Sequence, residues 1–241
     1  MSGIGWITAF LDTDETRAPA GERFWCAVTG SELSARRGSR GEFATLLPAD
    51  GDPFLRAQTV VQSPPGGLHL DLHTSDIDSL AARAEQLGAS ASYHELGYVV
   101  LGSPGGLTFC IVDHLGQRRP SPVSWPGGRS LVDQVCLDIP PSRFEAEVGF
   151  WRRLTGWPEA GTDSAEFARL ARGEGPLQIL FQRLADEQPV VTAHLDLACD
   201  DRPAEVARHV DLGASVVRRT DGWTTLRDPS GREYCVTDRP C

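Results

Sequence analysis

Two stretches decide how this chain is read: HLDL at His69–Leu72, followed by LGAS at Leu87–Ser90, and HLDL at His194–Leu197, followed by LGAS at Leu212–Ser215. Both pairs repeat at an offset of 125 residues. SPGGLTFCIV from Ser103 matches DPSGREYCVT from Asp228 at the same offset, FWCAVTG from Phe24 matches FWRRLTG from Phe150 at 126, and LRAQTV from Leu55 matches ILFQRL from Ile179 at 124. Chance can supply one such match, but not five in order. The chain is therefore a duplication. A stretch dense in proline, glycine and serine, residues 114–130, reads as a linker between a module at 1–113 and another at 131–241.

Each module reads as a pair of βαβββ units, an α+β fold. Short strands at Ile7–Asp12 and Val132–Ile139 open the modules. A helix follows, with Phe144, Val148, Trp151 and Leu154 at helical spacing in the second copy. Gly30 and Gly156 end these helices, and Asp76 and Asp201 open the second helix of each module. Strands near 98–101 and 107–112, and 223–227 and 233–237, close the modules. Trp25 and Trp151 fall on apolar helical faces and read as core.

Strand alternation sorts the chemistry onto one face. Leu195 and Leu197 oppose His194 and Asp196; Val135 and Leu137 oppose Gln134 and Cys136; Tyr234 and Val236 oppose Cys235. The first module repeats the pattern, with His69, Asp71 and His73 opposite Leu70 and Leu72. The apolar face must meet helices, leaving a polar concave face suited to a small molecule.

Composition excludes several function classes. The net charge of −10 opposes a polyanionic nucleic acid. All 23 basic residues are arginine, so chemistry through a lysine amine is excluded. No apolar run is long enough to span a bilayer, and the start, MSGIGWITAF, has no basic region before a long apolar one. The expectation is a cytoplasmic, bacterial protein with reduced cysteines, monomeric or homodimeric, with no membrane or nucleic-acid partner. No CxxC pair, GxSxG elbow, Walker loop or GxGxxG is present.

The paired βαβββ units, the FW…LTGW helix end, HLDL leading to an acidic-start helix and LGA, and the closing DPSGREYCV resemble the glyoxalase-like branch of the vicinal oxygen chelate superfamily. The resemblance covers nearly the whole chain, twice. It implies a curved mixed sheet around a cleft, with metal-ligand positions on the first, fourth, fifth and eighth strands. In module two these map to Gln134, Gln182, His194 and Cys235; in module one, to Thr8, Gln58, His69 and Cys110. Relatives use mainly His, Gln and Glu there, so only the histidine survives as a strong donor in the first copy. The ions such a set accommodates are Zn, Ni, Mn or Fe. The incomplete set favours a metal-free protein that sequesters a small molecule, as bleomycin-resistance relatives do; the alternative is a metal-dependent glyoxalase or extradiol dioxygenase.

His194 and Cys235 are the candidate catalytic pair, as a thiol beside its base. Gln134, Gln182, Asp196, Trp223, His69 and Cys110 are candidate ligand-binding residues. Asp71 and Asp196 can orient the histidines, and Tyr98 and Trp223 occupy equivalent strand positions. Module two keeps more donors and is expected to be the active copy.

Overall fold

The computed structural model describes residues 3–61, 67–113, 116–162, 164–171, 173 and 175–241. The expected linker begins on residues 114 and 115, which lie outside these. The first copy runs β1 (Trp6–Asp14), α1 (Ala18–Thr29), β2 (Glu32–Leu33), β3 (Phe43–Leu47), β4 (Leu55–Val60), β5 (Leu68–His73), α2 (Ile77–Gln86), β6 (Ser90–Glu95), β7 (Tyr98–Gly102) and β8 (Thr108–Val112). After β9 (Val123–Trp125), the second runs β10 (Gly128–Ile139), α3 (Phe144–Thr155), β11 (Glu159–Ala160), β12 (Phe167–Leu170), β13 (Gln178–Arg183), β14 (Thr192–Cys199), α4 (Arg202–Asp211), β15 (Ser215–Arg219), β16 (Trp223–Arg227) and β17 (Glu233–Thr237). Part of the expected linker is thus strand: β9 pairs antiparallel with the start of β10.

The strand order is β2-β3-β4-β1-β5-β8-β7-β6 in one sheet and β11-β12-β13-β10-β14-β17-β16-β15 in the other. The same order arises twice because the same sequence pattern does. In each, the HLDL strand runs parallel to the closing strand, with Asp71 opposite Cys110 and Asp196 opposite Cys235.

Local signals act as the sequence suggests. Asp76 accepts from Ser79 N at 3.1 Å and Asp201 from Ala204 N at 2.9 Å, satisfying amides that α2 and α4 leave open. Gly30 and Gly156 take φ of 61° and 71°, where a side chain would be strained. Among the described residues no helix is long and apolar enough to cross a membrane.

Contacts gather the chain into two compact units that do not follow chain order. One comprises residues 1–9, 68–117 and 135–193; the other comprises 10–67, 118–134 and 194–241. Each unit therefore joins a helical half of one copy to a half of the other. In the first, Phe109 lies 5.3 Å from Trp151 and 5.9 Å from Phe150, ring centre to ring centre. In the second, Tyr234, the counterpart of Phe109, lies 5.1 Å from Trp25. Both tryptophans are buried, as expected of core.

A buried indole N–H needs an acceptor, and the two units supply it differently. Trp25 Nε1 donates to Asp228 at 2.8 Å. The counterpart of Asp228 is Ser103, and there Trp151 Nε1 donates instead to Glu147 on its own helix at 2.9 Å. Glu147 also accepts from Gly105 N at 2.7 Å. The counterpart of Glu147 is Gly21, where a Cβ would sit 3.0 Å from Ser230; the counterpart of Ser230 is Gly105, where a Cβ would meet Glu147 at 2.7 Å. Carboxylate and bulk have moved together from turn to helix.

Candidate ligand and metal site

In the second copy the polar face gathers around Asp196. β10 brings Gln134, whose Nε2 donates to Asp196 Oδ2 at 2.5 Å. His194 Nε2, two residues back along β14, lies 3.3 Å from Asp196 Oδ1. On β17, Cys235 Sγ lies 3.6 Å from the same Nε2, and Thr225 Oγ1 lies 3.6 Å from that sulfur. Arg239 pairs with Asp133 and reaches within 3.9 Å of Asp196 Oδ2. Asp196 is 3% exposed, and its Oδ1 has no hydrogen-bond partner. Burial pushes the Asp196 carboxyl up, but His194, Arg239 and Gln134 outweigh it and hold the group below the ordinary carboxylate range.

The geometry around His194 differs from that of a catalytic triad. A triad uses one imidazole nitrogen towards the nucleophile and the other towards the acid. Here a single nitrogen, Nε2, faces both Cys235 and Asp196. A nitrogen and a carboxylate oxygen 3.3 Å apart, with a sulfur 3.6 Å from that nitrogen, are donors that a cation can use.

The first copy places the same residue types on β5 and β8. His69 Nε2 lies 4.0 Å from Asp71 Oδ1, and His69, Asp71 and Cys110 offer ligand atoms within 4.8 Å of one another. Thr8 stands where Gln134 stands in the second copy. Its short side chain meets His73, with Oγ1 and Nε2 hydrogen-bonded at 2.8 Å. Asp71 and His73 are 5% and 1% exposed, and Cys110 is half-buried.

The remaining candidates sit as follows. Gln182 donates to Glu166 at 2.7 Å within its own hairpin. Gln58 stands opposite Phe43 on the β3–β4 ladder. Trp223 begins β16 opposite Thr237, half-buried. The Tyr98 hydroxyl donates to Glu95, beside Tyr93. All six cysteines are free thiols. Sequence reasoning overlooked Arg239, which lies beyond the repeat words, and gave Asp196 a ligand-binding and orienting role but no place among the metal donors. Its place on the polar face, two residues after His194, was the available signal.

Comparison with known proteins agrees with this architecture. The glyoxalase-like domain family matches residues 8–112 and again 134–237. Solved structures share the fold. An Mn(II)-bound glyoxalase from Novosphingobium aromaticivorans is 16% identical with a TM-score of 0.70, over 98% of this chain and 83% of that one. An extradiol ring-cleaving dioxygenase from B. fuscum is 12% identical with a TM-score of 0.68, over 100% and 73%. A 2,3-dioxygenase from Pseudomonas sp. KL28 is 15% identical with a TM-score of 0.65, over 98% and 93%. No curated protein sequence matches the chain. The repeated family match and the duplicated sheet order together make this chain a member of the glyoxalase-like domain family, present in two tandem copies, within the vicinal oxygen chelate superfamily.

Proposed function

We propose that the chain binds a small organic molecule on the polar face around His194, and that His194, Asp196 and Cys235 hold a divalent cation there. One observation carries the reading: the buried Asp196 Oδ1 makes no hydrogen bond of good geometry and has His194 Nε2 beside it at 3.3 Å. A buried charged oxygen left unmatched is costly, and a cation would satisfy it. This carboxylate is absent from the donor set mapped by resemblance, and it shifts the balance towards metal. A glyoxalase of like fold is Mn(II)-bound, so the fold itself is compatible with a cation. A nitrogen, oxygen and sulfur set suits zinc or cobalt better than harder ions. When bound, such a cation would polarise neighbouring oxygens on the ligand. The chain's own contribution is orientation: Gln134 and Arg239 hold one oxygen of Asp196, so the other keeps its direction.

A second reading is metal-free. The 3.3 Å separation also suits a proton on Nε2 shared with Asp196, leaving a polar pocket that sequesters its ligand. Titration with Co²⁺ separates the two. The first reading expects one strongly bound ion per chain, with a sulfur-to-cobalt absorption band lost in Cys235→Ser and weakened binding in Asp196→Asn. No saturable Co²⁺ binding, or binding indifferent to both substitutions, rejects it in favour of the second.

A further inference from the structure

The unit made of residues 10–67, 118–134 and 194–241 contains a cavity of about 190 Å³. Its walls include Val28, Leu46, Phe54, Val123, Val132 and Leu197. Leu197 follows Asp196 on β14 and so points to the opposite side of the sheet from the cation-binding face. None of the residues proposed to hold the cation lines it.

The few polar groups in the wall are already engaged with protein. Thr29 Oγ1 donates to Trp25 O at 2.7 Å and is hydrogen-bonded with the Ser31 hydroxyl at 2.9 Å. Ser130 Oγ accepts from Trp125 Nε1 at 2.9 Å. Ser121 Oγ donates to Asp50 at 2.6 Å. An occupant therefore finds an apolar surface, with no polar side chain waiting for it. Asp50, which also pairs with Arg118, would repel an anion at the rim.

The rim is braced. Arg118 N donates to Asp52 Oδ2 at 2.9 Å, and Asp52 N donates to Arg118 O at 2.7 Å. Gly51, at φ +82°, lets the two segments touch: a Cβ there would lie 2.5 Å from Pro120 N. Bracing of this kind resists collapse of the walls into the void. A dry apolar cavity of roughly 150 Å³ holds benzene, so this one has room for a ring with one or two small substituents.

We propose that this cavity is a second ligand site, separate from the polar face, for an uncharged monocyclic apolar molecule of about the size of toluene or xylene. The test is calorimetric and ligand-observed NMR titration of the full chain with toluene, together with xenon uptake under pressure. Wild type is expected to bind one toluene saturably. Val123→Phe, which fills the space from a half-buried strand, is expected to weaken binding at least tenfold, and His194→Ala to leave it unchanged. Leu46→Ala is expected to extend binding to propylbenzene. If Val123→Phe fails to fold, xenon bound between Leu46 and Leu197 in wild-type crystals carries the same information. No saturable toluene binding and no xenon there overturns the proposal. So does toluene binding that His194→Ala abolishes and Val123→Phe does not touch, which places the molecule on the polar face. A negative result here leaves the Co²⁺ titration unaffected, so the two proposals fail separately.

Discussion

The two polar faces carry the same His-x-Asp and the same facing cysteine, yet they are wired differently. In the second copy the histidine is 3.3 Å from its aspartate; in the first it is 4.0 Å away. The difference begins one strand over. Gln134 is long enough to grip Asp196, whereas Thr8 is too short for that role and meets His73 instead. Duplicated donors do not make duplicated sites: the residue holding the carboxylate decides where its free oxygen points.

The helices differ in the same spirit, and the largest expected effect lies there. α4 buries Glu205 and His209, at 3.0 Å, where α2 buries Leu80 and Ala84. Burial pushes the Glu205 carboxyl up, but His209, Arg208 and Ser130 overcome it and bring the group to about 2. His209 is lowered, chiefly by burial, against the pull of Glu205. Both folded values lie below the unfolded ones, so the unfolded chain takes up more protons on acidification. The Glu205 contribution is full above about 4.5 and vanishes as pH falls towards 2, a loss of roughly 3 kcal/mol. Hydrogen exchange at falling pH should open α4 before α2. Simultaneous opening would show that the buried pair does not distinguish the helices.

Next in size, Asp196→Asn is expected to weaken Co²⁺ binding about 100-fold, or ~2.7 kcal/mol, while Asp71→Asn changes it less than threefold. Equal losses, read by the same titration, would make the two faces equivalent.

Asp228→Ser, which copies Ser103, strands the Trp25 N–H and should cost ~2 kcal/mol in denaturant unfolding. Adding Gly21→Glu and Ser230→Gly, which copies the other unit's arrangement, should recover at least half. No recovery would mean that acid and bulk are not exchangeable between turn and helix.

The smallest effect is expected for Gln134→Thr, which gives the second face the first one's residue. Cation affinity should fall roughly tenfold. An unchanged affinity would remove Gln134 from the explanation offered for the difference between the copies.

Much of this was legible in the sequence. The repeat words marked β5, α2 and β8 and their counterparts, and strand parity placed His194, Asp196 and Cys235 on one face, because period two leaves no freedom once Leu195 and Leu197 must be buried. The geometry within that face was not legible. Parity says that Asp196 and His194 are neighbours, but not that one oxygen is bound by Gln134 and the other left open. Gln182 looked equivalent to Gln134 by position, yet Glu166 across its hairpin takes its amide, a contact set by loop length rather than by pattern. Nor did the repeat reveal which halves pack together. Phe109 and Tyr234 occupy matching positions, and nothing local to either names Trp151 or Trp25 as its partner.

That exchange of halves has a consequence for how the protein is made. Chain synthesis proceeds from the N-terminal side, and local folding keeps pace with it. Neither aromatic cluster can assemble when the first copy has been made, because Phe109 awaits Trp151, and Trp25 awaits Tyr234. The unit containing α2 and α3 has all its residues once Ala193 is joined; the other must wait for the segment from His194 onward. The face proposed to hold the cation is therefore completed after the unit that contains α2 and α3, and α1 waits through synthesis of the second copy for the ring that covers it.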